Sequence, residues 1–155
     1  MQRCWLNLIC GTLAISAGLW AADPVVGVWK LNLEKSKYGS RPVPKSGEVT
    51  WTEEGGTFPY TSKGVGADGQ PTVVEIPSFK FDGKEYPVKG SPLVDMVSFK
   101  RVDPQHLEST GKKDGKQATT NKTVISKDGK TLTTVWRGTD ASGMPQTWTT
   151  VLEKQ

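Results

Sequence analysis

Cysteine and histidine are scarce in this 155-residue chain, and long apolar runs are missing after its first residues. The two cysteines, Cys4 and Cys10, both lie near the start, so residues 23–155 contain no thiol. This excludes disulfides, thiolate metal sites and cysteine nucleophiles from that part of the chain. The one histidine, His106, follows a predicted turn, and the carboxylates are scattered singly. We therefore predict no catalytic site, no metal site and no cofactor, and hence no enzyme.

The charge balance predicts no nucleic-acid surface. The net charge is +4, and lysine and arginine are dispersed among the acidic residues. The nearest approach to a basic cluster, Lys112, Lys113 and Lys116, surrounds a turn. Such a pattern is typical of a solvated hairpin tip, and dispersed basicity supports solubility.

The first 22 residues are predicted to be a secretory signal peptide. Arg3 precedes an apolar run without charged residues, and the run closes on Ala21 and Ala22. An uncleaved anchor is the alternative, although the run is shorter than the ~20 apolar residues of a membrane helix. We expect an exported protein, periplasmic or secreted, in which residues 23–155 form one monomeric domain with no membrane span.

Turn signals and alternation predict an all-β domain. Asp-Gly pairs separate runs rich in threonine, valine and aromatic residues, and Asp-Gly favours tight hairpins because glycine accepts positive φ. Trp29, Leu31 and Leu33 fall on one face of their run, as in a sheet packed on one side. One or two helical turns are expected over 33–38. The predicted strands are 26–33, 47–54, 57–65, 71–81, 85–89, 95–102, 106–112, 116–126, 131–138 and 145–154.

An internal similarity links two glycine-rich turns. Residues 63–71 align with residues 137–145. A duplicated meander and a chance likeness between turns are both compatible with this pattern.

The aromatic residues in the predicted strands fall on the face assigned to the interior. They either fill a solid core or line a cavity, because a small barrel can be packed or can hold one ligand. Polar residues on the same faces, namely Ser62, Ser98, Thr134, Thr150 and the set Thr119, Asn121 and Thr123, favour a wet cavity.

The start of the first strand resembles a known family. Gly27-Val28-Trp29-Lys30-Leu31 is similar to the Gly-x-Trp opening of lipocalins and fatty-acid-binding proteins. The segment also resembles bacterial lipocalin-like proteins of unknown role, through this start and the turns 67–71 and 126–130. The resemblance covers most of 25–155. It implies a calycin-type, antiparallel up-and-down barrel of about 8–10 strands.

The resemblance also implies structural roles for three residues. In lipocalins the motif tryptophan closes one end of the barrel and an arginine from a late strand packs across it. Gly27 and Trp29 match the motif, and Arg137 is the candidate arginine. The segment 34–46 is too short for the helix pair of fatty-acid-binding proteins.

We expect the barrel to bind a small apolar or amphipathic ligand. A cation, Lys100 or Arg101, is expected to meet a carboxylate near the mouth. The alternative is a structural or interaction protein with a packed core, acting through loops such as 39–46 and 90–95. The predicted lining aromatic residues are Trp51, Tyr60, Phe99, Trp136 and Trp148.

Overall fold

The structure, a computed structural model, describes residues 22–140 and 142–155. The predicted signal peptide, apart from Ala22, lies outside the described residues. Ten strands and no helix occur in the described part of the chain. They are β1 (Gly27–Leu31), β2 (Ser46–Trp51), β3 (Tyr60–Val65), β4 (Pro71–Ile76), β5 (Asp82–Pro87), β6 (Met96–Asp103), β7 (His106–Lys113), β8 (Lys116–Ile125), β9 (Thr131–Thr139) and β10 (Pro145–Lys154).

The strands form one antiparallel sheet that is nearly closed into a barrel. Their order is β4-β3-β2-β1-β10-β9-β8-β7-β6-β5, so every strand pairs with its neighbours in sequence except that β4 does not pair with β5, and β1 also pairs with β10. The remaining seam lies between β4 and the residues that follow β5. Two backbone hydrogen bonds of 2.9 Å between Glu75 and Lys89 cross this seam. The predicted up-and-down barrel is therefore confirmed.

Most of the hairpins turn at the predicted glycines. At the β7–β8 turn, Asp114 and Gly115 have φ values of 50° and 75°, a conformation that glycine adopts at little cost. Asp82-Gly83 is the exception among the four Asp-Gly pairs, because it lies in β5 beside a break in the register with β6. The two similar segments, 63–71 and 137–145, do form equivalent turns, between β3 and β4 and between β9 and β10.

The strand predicted over 71–81 ends early, at Ile76. Pro77 has no N–H to donate to a ladder, and the chain then crosses the end of the barrel. There the backbone of Phe79 accepts a hydrogen bond from the N–H of Phe58 at 2.8 Å. The segment 77–81 therefore works as a plug rather than as a strand.

The expected helical turns over 33–38 reduce to a single turn. The N–H of Ser36 donates to the carbonyl oxygen of Asn32 at 3.1 Å. Lys37 then pairs with Thr149 of β10 through hydrogen bonds of 2.8 and 2.7 Å. This pairing draws the β1–β2 connection onto the barrel wall and ends the turn.

Alternating connections give the barrel two ends. The closed end carries the β2–β3, β4–β5 and β6–β7 connections and the residues before β1. The open end carries the β1–β2, β3–β4 and β5–β6 connections. The closed end holds most of the apolar core, including Val25, Trp29 and Phe79, which are each 0% exposed.

Trp29 lies buried at the closed end. Its indole N–H donates to the carbonyl oxygen of Val25 at 2.8 Å. The Lys154 ammonium lies 5.0 Å from the ring centroid, and a Cβ at Gly27 would lie 2.6 Å from the Lys154 side chain. Glycine at position 27 thus leaves room for a lysine to cover the tryptophan.

The expected partner of Trp29 was wrong. Arg137 is exposed on the outer face of β9, since it follows the inward-facing Trp136. Arg137 is also far from Trp29 along the sheet. Trp29 pairs with Lys154, and the Lys154 N–H donates to the carbonyl oxygen of Lys130, which precedes the other end of β9. The cation over the motif tryptophan is Lys154, from the last strand.

Candidate functional site

A cavity of about 350 Å³ occupies the barrel interior between the aromatic closed end and the open end. Inward-facing residues of most strands line it, together with residues of the β1–β2 and β5–β6 connections. The interior is therefore not filled by side chains. The size lies at the lower end of the roughly 300–1,000 Å³ that small-molecule pockets span.

Four of the five predicted aromatic residues line this cavity: Trp51, Tyr60, Phe99 and Trp136. The first three form one cluster, in which the Trp51 ring centroid lies 5.0 Å from Tyr60 and 5.9 Å from Phe99, both edge-to-face. They mark the floor of the cavity, because Phe79 stacks behind Phe99 at 4.2 Å. This floor is where the packed core ends and the open space begins.

Tyr60 is the titratable group of this floor. Burial raises the pKa of its phenol, since a phenolate there would lose its hydration, and the Ser62 hydroxyl offsets part of that effect. The phenol is therefore neutral over the physiological range and can both donate and accept a hydrogen bond.

Trp148, the fifth predicted aromatic residue, is buried but does not line the cavity. Its ring stacks on that of Trp136 at 5.8 Å with an interplanar angle of 2°. The Arg41 guanidinium, from the β1–β2 connection, covers Trp148 at 4.1 Å from the ring centroid. The Arg41 side chain thus covers the face of the Trp148 ring that we expected a ligand to contact.

The β1–β2 connection covers part of the open end. Tyr38 and Pro44 from this segment line the cavity. The Gln146 side-chain amide donates to the Ser40 hydroxyl at 2.7 Å, which ties the segment to β10. A short irregular strap therefore stands over the open end.

Hydroxyl groups on β8, β9 and β10 form one wall. The hydroxyls of Thr123 and Thr134 lie 2.8 Å apart, and both residues are buried. The Trp136 indole N–H donates to the Thr150 hydroxyl at 3.0 Å. The polar interior predicted from Thr134 and Thr150 is thus present, with Thr134 bonded to Thr123 and Thr150 to the Trp136 indole.

A second row of polar residues has free capacity. Ser109 of β7 is paired in register with Asn121 of β8, and Thr119 follows one step nearer the open end. Within residues 22–140 and 142–155, these three side chains make no hydrogen bond to another residue. Every fully buried side-chain nitrogen or oxygen in the same ranges has a hydrogen-bond partner, so the polar atoms of these three residues are not fully buried. Their polar atoms must therefore reach the cavity. Asn121 opens an Asn-x-Thr sequon, but its inward position closes it to glycan attachment.

Glycine creates the space at the open end. A Cβ at Gly111 would lie 2.5 Å from both the Thr119 hydroxyl and a methyl carbon of Val94. A Cβ at Gly138 would contact the Trp148 ring at 3.5 Å. Both glycines face inward, so a larger side chain at either would compete with the cavity lining.

The predicted cations Lys100 and Arg101 do not reach the cavity. Lys100 is exposed on the outer face, opposite Glu108 and Asp82 in the sheet. Arg101 lies at the closed end, where its guanidinium donates to Asp23 at 2.7 Å and covers the Phe81 ring at 4.2 Å. Arg101 is therefore occupied in holding the chain before β1.

Sequence reasoning missed several lining residues. Ser109 was readable, because Leu107, Ser109 and Gly111 alternate along β7. Leu93 and Val94 were not, since they lie in a predicted loop whose conformation follows no period.

The described residues contain no group of three or more metal-ligating side chains. His106 contacts Asp103 at 2.8 Å on the surface, three residues apart, at the β6–β7 turn. The imidazole and two backbone N–H groups lower the pKa of Asp103. This pair shapes the β6–β7 turn. Within the described part of the chain, no helix has the length and apolarity to cross a membrane.

Comparison with known proteins shows the fold. No protein-family model matches this sequence, and no curated protein matches it either. The Schistosoma mansoni fatty acid binding protein in complex with arachidonic acid matches with a TM-score of 0.58 and 15% identity, over 85% of this chain and 96% of that chain. The zebrafish ileal bile acid-binding protein complexed with cholic acid matches with a TM-score of 0.52 and 15% identity, over 85% and 99%. The chain thus shares the antiparallel barrel fold of these two proteins.

Proposed function

We propose that this protein binds a small apolar or amphipathic molecule inside the barrel. The observation that carries the proposal is the cavity of about 350 Å³, which the side chains leave open. A concave, mostly apolar space with a few polar groups is the usual form of a small-molecule site. The two similar structures, complexes with arachidonic acid and cholic acid, support this choice among the functions of the fold.

The distribution of side chains suits an amphipathic molecule. The floor offers aromatic surface from Trp51 and Phe99, on which an apolar body can pack. The wall of β7 and β8 offers hydroxyl and amide groups from Ser109 and Asn121. A ligand with one apolar and one polar part matches both surfaces at once.

The alternative function, that of a structural or interaction protein, was predicted together with a packed core. The open interior argues against that version. The exposed valines of the sheet, such as Val73, Val102 and Val124, are scattered on different strands and offer no reason to prefer it.

Extraction of bound molecules from the purified protein tests the proposal. The full chain is expressed, denatured, and its small-molecule content measured by mass spectrometry. The variant Ser62→Leu/Ser109→Leu adds apolar volume to opposite walls of the cavity, and the control Thr61→Leu/Thr110→Leu places two leucines on the outer face of the same strands. We expect one class of molecule in the wild type and the outer variant and its loss in the inner variant. Equal content in all three proteins would exclude interior binding.

We also propose that the protein is exported. The charged start, apolar run and small residues of the first 22 residues support this. Mass spectrometry of the protein recovered from the periplasm or from the medium tests the proposal. A mass that begins at Ala22 or Asp23 agrees with cleavage, and an intact Met1 in the cytoplasmic fraction contradicts it.

A further inference from the structure

The cavity wall is short of positive charge. Among the described residues that line the cavity, Lys63 alone is charged. Lys63 is exposed and pairs with Glu48 and Val73, which are also exposed, so its side chain belongs to the outer face of β3. The wall at this position is therefore backbone, and the interior offers no ammonium or guanidinium to a bound anion.

Arg101, Lys100 and Arg41 do not enter the cavity either. Arg101 is paired with Asp23 at the closed end, and Lys100 is on the outer face. Arg41 stands at the open end with its guanidinium over Trp148. An anionic group inside the cavity would thus lose its hydration without gaining a countercharge.

The wall does offer groups that suit an uncharged ligand. The Ser109 and Thr119 hydroxyls and the Asn121 amide each donate and accept hydrogen bonds. They form a compact row, because Ser109 pairs with Asn121 and Gly111 pairs with Thr119 in adjacent strands. The absence of a side chain at Gly111 leaves this row open to the cavity.

We propose that the site takes a neutral ligand carrying a hydroxyl, carbonyl or amide group, and that it disfavours carboxylates. The polar group of the ligand bonds to Ser109 and Asn121, and the apolar part packs on the floor of the cavity. This inference rests on the proposed binding function, and it separates the chain from the carboxylate ligands present in the two similar structures.

Binding of a matched pair of probes tests the inference. The full chain is titrated with dodecanol and with dodecanoate, and tryptophan fluorescence reports binding because Trp51 and Trp136 line the cavity. Well above the pKa of the acid, we expect dodecanol to bind at least about tenfold more tightly, given the cost of an unpaired buried charge.

The pH dependence of dodecanoate binding gives a sharper criterion. If only the protonated acid enters, its apparent Kd rises about tenfold for each pH unit above its solution pKa, while that of dodecanol stays constant. A flat profile for dodecanoate, with affinity equal to that of the alcohol, would overturn the inference and leave the proposed function intact.

Variants locate the polar contact. Asn121→Leu is expected to weaken dodecanol binding about five- to tenfold by removing its hydrogen bonds, whereas the outward neighbour change Lys122→Leu leaves it unchanged. If the Kd of dodecanoate is independent of pH in the wild type but rises with pH in Arg41→Gln, the carboxylate binds beside Arg41 at the open end. That result would also contradict the inference. If neither probe binds at any pH, the proposed function itself fails.

Discussion

The closed end of the barrel is filled by phenylalanine and tryptophan rings, whereas the cavity walls above it carry hydroxyl groups and glycine beside the stacked Trp136 and Trp148. Phe79 contacts Phe99, Phe81 and Trp51 with ring centroids 4.2, 5.3 and 5.6 Å apart. In the cavity wall the corresponding interior contact is the hydrogen bond between Thr123 and Thr134. The first arrangement removes apolar area from water, and the second keeps space and polar capacity.

The same strands build both halves, and on some of them the inward side chains become smaller toward the open end. On β3 the inward residues run from Tyr60 through Ser62 to Gly64, from the floor to the open end. On β7 they run from Leu107 through Ser109 to Gly111. A taper from large to small side chains therefore separates a stabilising half from a binding half without an additional domain.

Loss of the central ring of the closed end should have the largest effect. Phe79→Ala is expected to lower the free energy of unfolding by about 3–5 kcal/mol, because Phe79 is fully buried among other rings. Trp136→Ala, in the open half, should cost about 1–2 kcal/mol, since its ring is half-buried and borders the cavity. Urea unfolding measures both. Equal losses would mean that the two halves are packed alike.

The seam between β4 and the residues after β5 gives a second comparison. A Cβ at Gly90 would overlap the Val73 carbonyl oxygen, while a Cβ at Gly115 meets nothing within 4 Å. Both glycines have positive φ, 78° and 75°, so alanine costs a similar backbone strain at each. Gly90→Ala should therefore destabilise the barrel by about 1–3 kcal/mol more than Gly115→Ala in thermal or urea unfolding. Equal effects would show that the seam tolerates displacement.

The strands and most of their faces could be predicted from the sequence, because each is specified by local features; Ser98, expected inside, is the exception, since its neighbours Val97 and Phe99 line the cavity. Alternation of Trp29 and Leu31 assigns the inner face of β1, and Asp114-Gly115 assigns a turn. Ten strands follow from repeating these two signals, and all ten are present. The polar inner positions of β8 were readable in the same way, from Thr119 to Thr123.

Contacts across the barrel could not be predicted, because they depend on register and closure. Arg101 bonds to Asp23 and Lys154 covers Trp29, and neither pairing has a signature in sequence spacing. The plug around Phe79 was read as part of β4, since its aromatic residues alternate like a strand. Whether the interior is hollow depends on how the inward side chains of all the strands meet, which no single strand reveals.

The hydroxyl pair Thr123 and Thr134 of the cavity wall tests whether this wall is dry. Thr134→Val leaves the buried Thr123 hydroxyl without its partner and should cost about 1–2 kcal/mol. Replacing both threonines by valine should cost less than the single change, because two methyl groups then face each other. Urea unfolding of the three variants measures the coupling. Additive or negligible costs would indicate that cavity water satisfies each hydroxyl separately.

The smallest effect is expected at Tyr60, where the two halves meet. Burial raises the pKa of Tyr60 above its ordinary value of about 10, so the folded protein holds the phenol proton more tightly than the unfolded chain does. The resulting stability is complete below about pH 10 and is lost as the pH rises further, through the folded pKa. Tyr60→Phe removes this titration. Between about pH 9 and about pH 11 the free energy of unfolding of the variant should therefore fall less than that of the wild type, by a difference under about 1 kcal/mol. Lysine titration is common to both proteins and cancels in the difference. Parallel losses would mean that water reaches the floor of the cavity as freely as it reaches the open end.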